Sequence, residues 1–347
     1  MTNFPTINVL MTGAGAHGAA GIIHCLQQHP SIHVIAADAN SDAVGRYLAK
    51  DFVVIPKATE AAFIDAILGI CREKNIHVVL PLVTKELIPL ASHLKQFELA
   101  GARLIASPVE SLEIANDKGR LYQFLQWRGI GVPDFRIVEN VGQFESAATE
   151  LGYPAKPICF KPCHSNGSRG FRIISNDIDE QRLLFNEKPV ARYIIYNDAI
   201  RILSSAPFPE LLVSEYLPGE EWSVDCLAKN GDTIIAIPRI RKKIINGISV
   251  EGEFLKNEDI ISYSKRIIGE LRLHGNIGIQ VKKSAEEKFL LLEINPRVQG
   301  TISSAQGAGV NLPVLAIKQE LGLAIEESEL QVKWGTKFGR YWKEIFY

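Results

Sequence analysis

No apolar run in this sequence approaches the roughly 18 residues that a membrane-crossing helix needs, and no charge of either sign is in excess. The formal net charge is −1 with 22% charged residues, so no long-range field gathers nucleic acid or an anionic membrane, and partners must be recognised locally. Cysteine is sparse. The five thiols (Cys25, Cys71, Cys159, Cys163, Cys226) are odd in number and scattered, which argues against a disulfide framework and for reduced cysteines in the cytoplasm. Cys159, Cys163 and His164 match no common zinc spacing. Internal repeats and low-complexity linkers are absent. The apolar stretch from Phe4 to Met11 is short, lacks a basic start and runs into a glycine-rich turn, so it reads as a strand and not as a signal peptide.

What is present is a globular composition, 46% hydrophobic over 347 residues, enough for two or three compact units. From residue 7 to about 107 buried strand-like runs (INVLMTG, IHVIAAD, FVVIP, HVVLPL, ARLIAS) alternate with helix-length segments, the pattern of a parallel α/β sheet. A helix is expected from Asn116 to Arg128. From about 132 to 217 the pattern changes to strands with short connections, DFRIV, ICFKP, FRIIS and LLVSEYL. After Pro218-Gly219 come the strands EWSVDCL, TIIAIPRIRKK, IGIQVKK and KFLLLEIN, a helix near 260–271 and a final helix near 312–321. The expected fold class is therefore α/β with α+β: a Rossmann-like parallel domain over 1–110, a smaller lobe over 111–217 and a larger lobe over 218–347.

The first motif is Gly13-Ala14-Gly15-Ala16-His17-Gly18, a G-x-G-x-x-G between a strand and a helix, with Asp38 closing the next strand. Such a turn lets a backbone approach a pyrophosphate while the acid takes ribose hydroxyls. It supports an NAD(P)-dependent oxidoreductase as one alternative. Tight strand-to-helix packing would require the same glycines.

Four further features fit a nucleoside triphosphate with magnesium. Lys161 is delivered by a strand into the loop His164 to Gly170, where Gly167 and Gly170 allow backbone N–H groups to converge and Ser165, Ser168 and Arg169 add donors. No Walker A is present. The run Glu215-Tyr216-Leu217 before a Pro-Gly turn offers main-chain groups to an adenine edge, with Glu220 or Glu221 placed for ribose. Glu293 and Asn295 share one strand face, and a hairpin loop centred between Glu286 and Glu287 sets Gln280 opposite Glu293. Three oxygen-bearing side chains in an apolar setting suit Mg²⁺, with Mn²⁺ as an acceptable substitute. Finally Arg297 follows by two residues, while Arg239, Arg241 and Lys243 alternate along one strand face with Lys118 at an earlier helix start. These cations suit a transferring phosphoryl group and a substrate carboxylate. For the 239–243 run an ordinary solvated face is the competing explanation.

The order Asn116-Asp117-Lys118, Lys161-Pro162 with its Ser/Gly loop, Glu215 to Glu221, Gln280, and Glu293-Ile294-Asn295-Pro296-Arg297 resembles the ATP-grasp superfamily. The synthetase units of the carbamoyl-phosphate synthase large chain and similar carboxylate–amine ligases are the nearest likeness. The resemblance implies that Lys118 and Lys161 contact phosphates and that Ser165, Gly167, Ser168 and Gly170 close over them. It implies adenine at Glu215, Tyr216 and Leu217, ribose at Glu221 or Glu220, and magnesium at Gln280, Glu293 and Asn295. Arg297 and Arg241 would be the catalytic cations. The implied chemistry is ATP-dependent activation of a small carboxylate as an acyl phosphate, which an amine or another nucleophile then attacks. A non-catalytic ATP sensor would use the same site. The carboxylate is expected beside the C-terminal ends of the first sheet, approached by Arg297 and Arg241, and a homodimer is compatible with the sequence.

Overall fold

The computed structural model of the protein describes residues 6–165, 169–186, 192–245 and 247–347. The N-terminal part runs β1 (Ile7–Thr12), α1 (Ala19–Gln27), β2 (Ile32–Asp38), β3 (Asp51–Val54), α2 (Phe63–Glu73), β4 (Val78–Pro81), α3 (Thr84–Ala91), α4 (Leu94–Leu99), β5 (Arg103–Leu104) and α5 (Val109–Ala115). Its strands pair in the order β3-β2-β1-β4-β5, all parallel. Both faces are covered: Val9 and Met11 belong to one buried cluster and Leu10 to another, which is why β1 reads as an unbroken apolar run. From β1 the chain builds outward to β3, then restarts on the other flank at β4. The carboxyl ends of β1 and β4 therefore straddle a topological switch point, where open parallel sheets leave a crevice for ligands.

Next come α6 (Lys118–Trp127), β6 (Phe135–Val138), α7 (Val141–Glu150), β7 (Ile158–Pro162), β8 (Arg172–Ile174), α8 (Glu180–Asn186), α9 (Tyr196–Leu203) and β9 (Leu211–Glu215). The four strands form a separate antiparallel sheet, β6-β9-β7-β8. The expected short connections are corrected here, because α7 and α9 stand between the strands. The sequence of α7 carries the signal: Phe144, Ala147, Ala148 and Leu151 are buried at helical spacing, and the Asn140 side chain accepts from Gln143 N at 3.0 Å as an N-cap.

The remainder runs β10 (Glu221–Lys229), β11 (Asp232–Ile245), β12 (Ile248–Phe254), α10 (Glu258–Glu270), β13 (Gly275–Lys283), β14 (Phe289–Asn295), α11 (Leu312–Glu320) and β15 (Lys337–Gly339). The six strands lie in the order β14-β13-β10-β11-β12-β15. By contacts the chain forms two compact units, one of residues 1–115, 221–281 and 293–347, the other of residues 116–220 and 282–292. Within the first unit a single apolar cluster joins Val9 and Met11 of the parallel sheet, Leu227 and Ile237 of the antiparallel sheet, and Leu312 to Ile317 of α11. The parallel sheet is thus packed as part of a larger body.

Candidate functional site

In the first unit, β11 places Arg239 and Arg241 on one face, and a bulge beyond Arg241 breaks the alternation. Their surroundings differ. Arg239 is 1% exposed, its Nε donates to Asp225 Oδ2 at 2.7 Å and its Nη1 to Ser249 Oγ at 3.0 Å. Asp225 also accepts from Gln299 Nε2. The suggestion that Arg239 meets a phosphoryl group is therefore corrected: its charge is consumed inside the fold. Lys243, displaced by the bulge, is exposed and paired with Glu251 at 3.3 Å.

Arg241 shares the Ser249 hydroxyl with Arg239 but otherwise meets different partners. Its Nε donates to Ser249 Oγ at 2.9 Å, its Nη1 to Glu221 and to Gln280 Oε1 (3.0 Å), and its Nη2 to Gly247 O at 2.5 Å. Burial lowers its pKa, while Glu221 and, more weakly, Glu293 raise it. On β14 and just beyond, Asn295 Nδ2 donates to Glu293 Oε1 at 3.3 Å and Arg297 Nη2 to Asn295 Oδ1 at 3.1 Å. Arg297 Nε reaches Thr84 Oγ1 at 2.9 Å, at the start of α3. Burial lowers the Arg297 pKa and Glu293 again opposes it. Glu293 thus lies in the field of both guanidinium groups. The β13–β14 hairpin closes with Ser284 N donating to Lys288 O at 2.8 Å, so its loop centres on Glu286, half a position from the centre expected. Gln280 and Glu293 nonetheless both act on Arg241.

This oxygen set fits a hard divalent cation. Gln280, Glu293 and Asn295 are half-buried and supply one carboxylate and two amide oxygens, the donor chemistry Mg²⁺ takes when it keeps phosphate and water as further ligands. Asn295 Nδ2 occupies Oε1 of Glu293 and the guanidinium groups of Arg241 and Arg297 donate to the two amide oxygens, while Oε2 of Glu293 has no hydrogen-bond partner among the described residues. Mg²⁺ there would neutralise phosphate charge.

In the second unit, Asp117 caps α6 by accepting from Gly119 N and Arg120 N at 2.9 and 3.1 Å and so fixes Lys118 at the first helical position. Lys118 Nζ donates to Ser165 O at 2.6 Å. Lys161 Nζ donates to Leu292 O at 2.8 Å and stands over the Tyr122 ring. Of the loop, Arg169 and Gly170 are exposed, Gly170 at φ +77°, where an added Cβ would lie 2.6 Å from Pro162 Cδ. Gly167 and Ser168 fall outside the described residues. Glu215 Oε1 accepts from Asp134 N at 3.0 Å, the Lys282 ammonium lies 4.7 Å from the Tyr216 ring centre, and Leu217 is buried. Gly219 N donates to Lys283 O at 3.0 Å. The two glutamates after it diverge: Glu220 is exposed, whereas Glu221 is held by Arg241.

The glycine-rich turn is committed elsewhere. Asp38, the acid that would grip a ribose, accepts from Gly15 N with Oδ2 (2.7 Å) and from Asn40 N with Oδ1 (2.8 Å). A Cβ on Gly18 would lie 2.5 Å from Gly300 Cα, so that glycine serves close backbone packing. Both positions are thus accounted for without a dinucleotide. The sequence reading missed Thr12 and Glu86. Thr12 Oγ1 donates to Glu86 Oε2 at 2.5 Å, and Glu86 is 6% exposed. Burial, with a smaller contribution from Asp38, pushes its pKa up to about 7.

Residues 207–338 match the family model described as ATP-grasp in the biosynthetic pathway with Ter operon, and residues 9–105 the PylC-like N-terminal domain. The carbamoyl phosphate synthase large chain of Archaeoglobus fulgidus is 23% identical over 252 residues, 69% of this chain but 22% of that protein, so the chain spans about a fifth of that relative's length. Among solved structures, an ADP complex of N5-carboxyaminoimidazole ribonucleotide synthetase superposes with a TM-score of 0.70 at 16% identity, covering 95% of this chain and 81% of that one. Biotin carboxylase from Campylobacter jejuni gives 0.66 at 16% identity, over 95% and 74%. The chain thus carries an ATP-grasp domain over residues 207–338 and a PylC-like N-terminal domain over residues 9–105. Among the described residues no helix is long and apolar enough to cross a membrane.

Proposed function

We propose that this protein is an ATP- and Mg²⁺-dependent ligase that converts a small carboxylate to an acyl phosphate, releasing ADP, for attack by an amine or another nucleophile. The observation that carries the reading is the array in which Gln280, Glu293 and Asn295 present oxygen donors while Arg241 and Arg297 bond directly to that set. In this reading Gln280, Glu293 and Asn295 hold Mg²⁺. Lys118 and Lys161 take phosphate oxygens, with Ser165, Gly167, Ser168 and Gly170 closing over them. Glu215, Tyr216 and Leu217 take adenine, and Glu220 is freer than Glu221 to take ribose. Arg297 stabilises the phosphoryl group in transit, and Arg241 orients Gln280 and Glu221. The work of the chain is placement and electrostatic stabilisation, with no covalent nucleophile required. We assign it to the cytoplasm, with domains over 1–110, 111–217 and 218–347, small-molecule substrates and a homodimer as the assembly to look for.

The test is a screen of small carboxylates for stimulated ADP formation, with hydroxylamine present to trap acyl phosphate as hydroxamate. Glu293→Ala should abolish turnover with the circular dichroism spectrum unchanged. Arg297→Ala should lower turnover roughly 100-fold or more while calorimetric ATP affinity changes little, because its partner is the reacting group and not adenine. ATP binding without acid-stimulated ADP release by wild type would reduce the protein to a nucleotide sensor. Near-normal turnover by Glu293→Ala would refute the metal assignment.

A further inference from the structure

We infer that Glu86 seats the ammonium group of the acid being activated, which makes the substrate an amino acid; the inference rests on the ligase reading above. Thr12 closes β1 and Glu86 stands in the first turn after β4, so both lie at the switch point of the parallel sheet, the place where such sheets receive ligands. Glu86 is 6% exposed. The Thr12 hydroxyl holds Oε2 at 2.5 Å, and Oε1 has no hydrogen-bond partner among the described residues.

A carboxylate in that position is costly. Burial strips its water, and the Asp38 carboxylate at the end of β2 adds like-charge repulsion, with only the Thr12 hydroxyl opposing them. Asp38 cannot relieve this by turning away, since both its oxygens are fixed by Gly15 N and Asn40 N. If Glu86 served only to anchor Thr12, glutamine would do so without the desolvation penalty. A ligand cation resolves the conflict by pairing with the open oxygen. The start of α3 also meets a cation, because Thr84 Oγ1, two residues before Glu86, accepts from Arg297 Nε at 2.9 Å. An acid and a guanidinium tied to the same helix start offer one partner for each charge of a zwitterion, with the ammonium on Glu86 and the carboxylate toward Arg297 and the phosphoryl donor. An amine without a carboxylate, or an acid without an amine, satisfies only half of this arrangement.

The experiment pairs each L-amino acid of a panel with its 2-hydroxy acid, such as L-alanine with L-lactate. ADP release at saturating Mg-ATP and calorimetric titration of the same compounds are read in wild type, Glu86→Gln and Thr12→Val. Wild type should respond to an amino acid and not to its hydroxy partner. Glu86→Gln should raise the KM for that amino acid roughly 10- to 100-fold, as expected for losing one charge-assisted hydrogen bond, with kcat and the KM for ATP held within a few-fold. Thr12→Val, which loosens the seat without removing it, should fall between. Calorimetry needs no turnover, so amino acid binding that Glu86→Gln abolishes, in a protein that releases no ADP, would keep this inference and remove the ligase reading. ADP release that ignores the amino group, an unchanged KM in Glu86→Gln, or a panel in which nothing binds would overturn it.

Discussion

Replacing Asp225 with alanine isolates the role of the buried cation on β11. The substitution leaves the Arg239 guanidinium, 1% exposed, with the Ser249 hydroxyl as its remaining hydrogen-bond acceptor, and takes the acceptor from Gln299 Nε2. Breaking a buried pair by removing one partner costs about 3–5 kcal/mol, a large share of the roughly 5–15 kcal/mol that holds an ordinary domain together. Urea unfolding followed by far-UV circular dichroism should show a midpoint lowered by that energy divided by the slope, with the slope itself unchanged. The double variant Asp225→Leu/Arg239→Met, which removes both charges and keeps the volume apolar, should regain most of the loss. ATP affinity of the folded double variant should stay within a few-fold of wild type, since Arg239 shares with Arg241 only the Ser249 hydroxyl and Arg241 keeps its bonds to Glu221, Gln280 and Gly247. A single variant within about 1 kcal/mol of wild type, or a double variant no better than the single, would refute this account.

Two other outcomes follow from buried titratable groups. The thiols of Cys25, Cys71 and Cys163 are pushed up to about 12 by burial, so a disulfide reagent at pH 8 should leave all three unmodified in the native protein and label them after denaturation; rapid native labelling of any one would contradict its placement. Glu86, raised to about 7 by burial and Asp38 against the Thr12 hydrogen bond, should contribute stability that is present below its unfolded pKa of about 4.3 and lost as pH rises through about 7. Glu86→Gln should therefore gain stability relative to wild type between pH 5 and 8, and parallel pH profiles would exclude the shift.

The sequence announced the parallel sheet because its strands are buried on both faces and so read as continuous apolar runs. The helix α7 was equally visible in Phe144, Ala147, Ala148 and Leu151, yet short connections were expected there, since the surrounding strands dominate the pattern. β12 and β15 escaped notice for a different reason: the run ISVEGEF carries glycine and charge, and a strand of three residues leaves no period to read. At the candidate site, Gln280, Glu293 and Asn295 stood out as oxygen-bearing side chains in apolar strands, and Arg297 as a cation two residues beyond. The contrast between Arg239 and Arg241 was not, because it depends on Asp225 and Gln299 arriving from other segments. Glu86 was hidden within an ordinary helix start; only the fold brings Thr12 onto it.

The contact of Gly18 with Gly300 bears on how this chain can vary. The atoms that a methyl at position 18 would strike are the Cα, carbonyl oxygen and carbonyl carbon of Gly300, at 2.5, 2.7 and 2.9 Å, and backbone cannot swing aside as a side chain can. Substitution at position 18 is therefore blocked unless two distant stretches of chain shift together, whatever ligand the protein serves. The last glycine of the G-x-G-x-x-G pattern would persist under purifying selection even in a lineage that had never met a dinucleotide. A pattern search through genomes would go on scoring such chains as cofactor binders, and a directed-evolution library would find position 18 intolerant in a selection for folding alone.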